Sequence, residues 1–337
     1  MFEIINGMFE RTDWTNATKN LPLAIVPGGS GNGLARSIAH YSGEPYLSAP
    51  SLPSALSLVR NQQNPMDLVR VENASQVIFS FLSVGWGLLS DVDIESERLR
   101  MLGGQRFTVW SVARLIGLRV YSGRVSYLPV NREPKMEDII NSNVESTSEL
   151  PSELNLETDM GRQRLDSWYS AASRRSAYFS ATGSSYQSTA DSAAGDPESA
   201  KFKMYGPPST LPSLNTSLPS TWTILNGKFV MVHASYQSHL SEDCLFAPES
   251  KANDGIIWLL IIKGNVSRSQ MLHFLLGLSS GAHVQNTVDG IDLLPVKAFR
   301  IEPDMSEQGY ITVDGEHVEY GPIQAEICPG LSRILIP

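Results

Sequence analysis

Between about Asn131 and Ser220 the chain loses its hydrophobic periodicity, and Ser, Thr, Glu, Asn and Pro dominate. Such a stretch cannot bury enough apolar surface to offset the entropy of ordering it. It reads as a disordered insertion between two strands, so the folded unit must be assembled from the flanks, 1–130 and 221–337. A length of 337 residues suits two domains at roughly 100–200 residues each. The hydrophobic content of 42%, a little under the usual ~45–50%, fits a chain of which one part packs poorly.

The flanks carry two textures. Met1 to Met8 places apolar residues at helical spacing with no N-cap before them, which reads as a start inside a longer sequence. Leu21 to Val26 is a short apolar run expected as a strand; it ends in Pro27-Gly28-Gly29-Ser30-Gly31-Asn32-Gly33, after which Leu34 to Ile38 reads as helix. Strand, glycine loop and helix form the layout of a phosphate-binding βα unit. Leu52 to Arg60 is a second helix. From Asn64-Pro65 onward Leu68–Val71, Gln76–Val84, Ala113–Leu128, Trp222–Ala234, Ile256–Ile262 and Ala298–Pro303 are aliphatic, β-branched and aromatic, as antiparallel strands are. Ser267 to Leu278 reads as an amphipathic helix among them.

Charge and cysteine content exclude several classes. Lys and Arg total 26 against 35 Asp and Glu, a formal charge of -9, which argues against nucleic-acid binding and its basic footprint. Two cysteines, Cys244 and Cys328, make no disulfide scaffold and fit a reducing compartment. No apolar run approaches the ~18–20 residues of a membrane span, and no basic-then-apolar leader is present. The expectation is a cytoplasmic protein, with the sequons at Asn16, Asn73, Asn215 and Asn265 read as chance matches.

Three clusters could carry chemistry. In Gly28-Gly29-Ser30-Gly31-Asn32 the glycines let successive N–H groups form an anion-binding nest before a helix N-terminus; the loop alone admits both a bare turn and a phosphate site. Asp91-Val92-Asp93-Ile94-Glu95-Ser96-Glu97, with Arg98, Arg100 and Arg106 beyond, could hold a cation or clamp a polyphosphate, or be a solvated helix end. Thr312-Val313-Asp314-Gly315-Glu316 marks a hairpin turn first, and a carboxylate pair for hydrated Mg²⁺ second. The six histidines show no metal-ligand spacing, and zinc is not expected.

Taken in order, Pro27 to Asn32, Ser83-Val84-Gly85-Trp86-Gly87 leading into Asp91 to Glu97, Leu102-Gly103, Arg106-Phe107-Thr108 and Val313-Asp314-Gly315-Glu316 resemble the sphingosine kinases, relatives of the diacylglycerol and ceramide kinases. The resemblance implies an α/β nucleotide-binding domain, incomplete here, plus a C-terminal antiparallel β-sandwich, lipid-kinase/NAD-kinase-like in class. It implies ATP and Mg²⁺ as cofactors. Gly28, Gly29, Ser30, Gly31 and Asn32 would hold phosphates, Arg100 and Arg106 would clamp them, and Asp314, Gly315 and Glu316 would lie near nucleotide, with Asp314 toward Mg²⁺. Asp93, with Ser83, would receive the amine and hydroxyl of a sphingoid base; Leu89, Phe107, Met271, Phe274, Leu275 and Leu278 would line the tail pocket. The last four recur at i, i+3, i+4 and i+7, a stripe that an ordinary core-facing helix also shows.

The family's general base is the Asp of a Gly-Asp-Gly loop, expected just before Met1, with Glu3 and Asn6-Gly7 matching the helix that follows it. The chain as written is therefore expected not to support normal turnover, and an open sheet edge in its first domain would favour self-association as a homodimer. The implied organisation is 1–64 for the remaining nucleotide domain, 65–130 and 221–337 for the sandwich, and 131–220 for the insertion. Arg162-Gln163-Arg164-Leu165-Asp166-Ser167 within it suits a basophilic protein kinase. The expected activity is phosphorylation of the primary hydroxyl of sphingosine or sphinganine, with peripheral, transient membrane contact. A ceramide or diacylglycerol kinase, and a non-catalytic lipid-binding isoform, are the alternatives.

Overall fold

A computed structural model describes residues 1–29, 31–96, 114–130, 204–285 and 288–337. Four helices come first: α1 (Phe2–Phe9), α2 (Trp14–Asn20), α3 (Gly33–Tyr41) and α4 (Ser51–Arg60). In α1, Ile5, Met8 and Phe9 face inward at i, i+3 and i+4, and Phe9 stacks on Phe79 with centroids 3.7 Å apart. Asn6 fixes the helix in register: its amide accepts from Phe79 N (2.9 Å) and donates to Phe79 O (3.1 Å), pairing with the backbone as a neighbouring strand would.

Strands β1 (Gln62–Asn73), β2 (Val77–Ser80), β3 (Ser83–Gly87), β4 (Tyr121–Pro129), β5 (Thr223–Ser235), β8 (Ile257–Lys263), β9 (Ile291–Pro303), β10 (Ile311–Val313), β11 (Glu316–Val318) and β12 (Ile323–Ile336) form one antiparallel sheet system. A separate hairpin pairs β6 (His239–Ser241) with β7 (Cys244–Leu245). The two 13-residue strands, β5 and β9, make the sheet double. The first half of β5 pairs with β4 and its second half with β8. Along β9 the order is reversed, β8 first and β4 second. Each strand therefore crosses from one layer to the other, with a register irregularity in β5 between Phe229 and Met231. Val69, Val71, Val84, Trp86, Phe299 and Ile311 meet in the core between the layers.

Two further apolar clusters lie outside that core. Ile5, Phe9, Leu34 and Ile38 of the helices pack on Met66, Leu68, Phe79 and Ile334. On the other side, α5 (Leu88–Ser96) and α6 (Arg268–Gly277) close over the outer face of β5 and β8. Ser267 opens α6 with a capping box, accepting from Gln270 N while its own N–H donates to Gln270 Oε1.

Three expectations are corrected. Leu21 to Val26 is not a strand: Leu23 alone pairs, donating to Arg333 O (2.8 Å) and accepting from Leu335 N (2.9 Å). Pro22 and Pro27 bracket the run without an N–H to extend the ladder. The expected strand from Ala113 begins only at Tyr121, since residues 114–116 are helical. The insertion, expected to run unstructured to Ser220, includes a placed segment from Met204 onward. There the buried Arg300 guanidinium donates to the carbonyls of Pro212, Ser213, Leu214 and Thr216 at 3.0–3.2 Å. The Glu326 carboxylate accepts from Thr210 N and Oγ1, and Tyr205 N donates to Phe9 O. Charge-assisted hydrogen bonds order much of this segment, with Met204 packed on the helix cluster at its start. The kinase-type motif ending at Ser167 lies outside the described residues.

Candidate active site

The glycine loop reaches α3 through Asn32, which takes a left-handed conformation (φ 51°). Its side chain closes the loop on itself, accepting from Gly29 N (2.9 Å) and donating to Gly29 O (3.0 Å). The same amide donates to Glu242 Oε1 (2.7 Å), which also accepts from Tyr46 Oη (3.0 Å). Glu242 N donates to Gly31 O, so the hairpin β6–β7 latches the loop to the sandwich. Gly28 and Gly29 are exposed, and an added Cβ on Gly28 would meet nothing within 4 Å. This suits an anion approaching the loop backbone at the head of a nine-residue helix. Ser30 lies outside the described residues.

Asp314-Gly315 forms the expected two-residue hairpin between β10 and β11, both residues left-handed (φ 53° and 87°). The Asp314 carboxylate is buried. Oδ1 accepts from Ser80 Oγ (2.6 Å), Leu82 N (2.9 Å) and Ser83 N (3.0 Å), and Oδ2 from Phe81 N (3.1 Å). Burial pushes its pKa up to about 6, against these donors, which favour the anion. These bonds commit the carboxylate to the β2–β3 turn. Among the described residues no group of three or more His, Cys, Asp or Glu side chains is placed to hold a metal ion. Ser83, expected at the substrate, returns a backbone bond to Asp314 N (2.8 Å). Glu316 is exposed beside the turn.

β3 runs directly into α5, which carries Asp93 to the same turn. Asp93 Oδ2 comes within 3.8 Å of where a Cβ would stand on Gly315. Asp91 and Glu95 beside it are paired within the fold rather than solvated. Asp91 is buried, accepts from Tyr121 Oη, and is pushed up to about 6, chiefly by burial. Glu95, one turn on, pairs with Arg114 and with Arg119 (3.3 Å). Spacing alone did not separate these inward acids from Asp93, because their partners arrive from residues 114–121.

The predicted tail residues converge. Met271, Phe274 and Leu278 are buried in one cluster with Leu88, Val92, Met231, Phe246 and Trp258, and Leu89 and Leu275 pack against it. Phe107, Arg100 and Arg106 lie outside the described residues. Glu3 stands apart, half-exposed on α1 with its carboxylate 3.5 Å from the amino terminus.

Known proteins place this arrangement. The profile of the diacylglycerol kinase catalytic domain matches residues 1–71, and that of the YegS C-terminal NAD kinase beta sandwich-like domain matches 223–336. A Bacillus anthracis str. Sterne protein, solved as a candidate diacylglycerol kinase, superposes with TM-score 0.51 at 12% identity, over 100% of this chain and 74% of that one. A glycine-loop helix latched to a two-layer antiparallel sandwich is thus the diacylglycerol-kinase-type architecture. Sphingosine kinase 2 of Homo sapiens is 34% identical over 99% of this chain, which spans 60% of that protein. Sphingosine kinase 1 of Mus musculus is 31% identical over 98% of this chain and 71% of its own length. The chain belongs to the sphingosine kinase family.

Proposed function

We propose that this site serves transfer of the γ-phosphoryl group of ATP to the primary hydroxyl of a sphingoid base. The observation that carries the reading is Asp93, set beside the Gly315 turn on the helix whose Leu88 and Val92 enter the apolar cluster. A carboxylate there suits an ammonium head, which ceramide and diacylglycerol lack. The cluster suits the tail, whose desolvation is worth about 0.8 kcal/mol per methylene. The names of the relatives support the same substrate class.

In this reading Gly28, Gly29, Ser30, Gly31 and Asn32 cradle the ATP phosphates, with Arg100 and Arg106 supplying positive charge. ATP brings the phosphoryl group, and Mg²⁺ would accompany its phosphates; no step is assigned to an Asp314-bound metal. Asp93 orients the amine and hydroxyl so that the nucleophile faces the loop. The lipid is collected by peripheral contact with a bilayer, and no helix among the described residues is long and apolar enough to cross one.

The test pairs radiolabelled ATP transfer with equilibrium lipid binding on this chain. Sphingosine should bind and, on turnover, be the only lipid labelled; Asp93→Asn should weaken its binding at least tenfold. Binding without product would favour the non-catalytic lipid-binding alternative. Equal labelling of diacylglycerol, or indifference to Asp93→Asn, would overturn the substrate assignment.

A further inference from the structure

The apolar cluster beneath α5 and α6 borders on one buried polar side chain that nothing so far employs. β10, β3 and β5 set Thr312, Gly85 and His233 side by side in register. Ser90 of α5 stands over the glycine. A Cβ added at Gly85 would lie 2.7 Å from Ser90 Oγ and 2.8 Å from His233 Nδ1, so only glycine lets the hydroxyl and the imidazole converge. Ser90 Oγ is bonded to Thr312 Oγ1 at 2.9 Å. The His233 ring packs against Phe246 of the tail cluster, with centroids 5.4 Å apart.

His233 is fully buried, yet neither Nδ1 nor Nε2 has a hydrogen-bond partner among the described residues. Buried polar groups in folded proteins are almost always paired, so two orphaned nitrogens on one ring point to a partner that the chain itself does not supply, a ligand group or a water. Burial holds its pKa down at about 4, leaving a neutral ring at physiological pH. A neutral imidazole offers one donor and one acceptor, which matches a hydroxyl, itself both donor and acceptor. Its position is also informative. Ser90 lies one helical turn before Asp93 on the same face of α5, so His233 sits behind the headgroup carboxylate by roughly 5 Å of helix. Along an extended lipid, that is where the first chain carbons beyond the amine would lie.

We propose that His233, with Ser90 and Thr312, is a specificity determinant that hydrogen-bonds a chain hydroxyl of the lipid, so that the site prefers a sphingoid base hydroxylated just beyond its headgroup. The inference rests on the sphingoid-base reading above and adds a preference within that class. A site built around a polar partner handles poorly an analogue that leaves the partner unpaired.

The experiment is competition binding of 4-hydroxysphinganine against sphinganine in mixed micelles, using the full chain. About a tenfold preference for the hydroxylated base is expected, falling to near one in His233→Leu and partly kept in His233→Gln. As a readout independent of variant folding, ¹⁵N-histidine labelling of the unmodified chain should show a His233 ring nitrogen shifting with 4-hydroxysphinganine but not with sphinganine. Equal affinity for the two bases, with no differential shift, would overturn the inference and leave the nitrogens to trapped water. An unaltered preference in His233→Leu would overturn it too. Failure of both bases to bind would instead overturn the sphingoid-base reading, and this one with it.

Discussion

The Asp314 carboxylate accepts four hydrogen bonds from the Ser80–Ser83 turn. Asparagine tolerates the left-handed backbone there as well as aspartate, but presents a donor where an acceptor is required. Asp314→Asn should therefore lower stability by about 2 kcal/mol, read as a reduced urea midpoint at unchanged slope. The hairpin itself was legible, since Asp-Gly between short apolar runs has few other meanings. The function of the carboxylate was not, because its donors come from residues some 230 positions earlier. His233 was equally silent: one histidine in a strand gives no sign that both of its nitrogens are buried without a partner among the described residues. Burial depresses its pKa to about 4 from 6.5, so the fold binds fewer protons than the unfolded chain across that window and is destabilised as pH falls through it. The raised carboxyls of Asp91 and Asp314 act in the opposite sense over roughly the same range, so the total dependence is a poor test. The difference between His233→Leu and the parent is a good one. The variant's stability relative to the parent should rise steadily from pH 6.5 to about 4, followed by denaturant titration at each pH.

At the scale of elements, four helices were read from the sequence, α2 was missed, and the extended runs were read unevenly. α3, α4 and α6 follow from apolar spacing, to which the structure adds the capping box of Ser267 and Gln270 on α6. Leu21–Val26 has strand composition, but its prolines and the single partner residue on β12 decide otherwise. α5 shows most clearly why composition falls short. Asp91, Asp93 and Glu95 look equivalent in sequence, yet only the first and third turn toward Tyr121, Arg114 and Arg119. α1 docks through a side chain acting as a strand. Asn6→Ala would leave Phe79 N–H and C=O without the amide that now pairs with both. A loss of about 1–2 kcal/mol is expected, with faster hydrogen exchange at the Phe79 amide while amides in the β4–β5 ladder stay protected.

Over the whole molecule, residues distant in the chain hold the site together. Glu242 joins the glycine loop to the sandwich, and Arg300 gathers the carbonyls of 212–216 onto β9. Neither was legible, since a lone Glu and a lone Arg in strand-rich sequence carry no pattern. Arg300→Leu should release the segment from Met204 to Ser220, giving earlier cleavage there in limited proteolysis, while the near-ultraviolet dichroism of the core aromatics holds. A segment cut no faster than in the parent would show that Glu326 and Tyr205 anchor it alone. The antiparallel strands were foreseen from texture and the two-layer sandwich was implied by the family resemblance, but neither showed that β5 and β9 are shared between layers. That sharing decides how the molecule can open. Covers that have pages in common cannot be spread: parting the layers would tear two backbones out of their ladders. The helices on the outer face are tied in by side chains and loops instead. For any long, greasy guest the sandwich is therefore wall, and among the described residues the panels free to swing without breaking a ladder are α5 and α6.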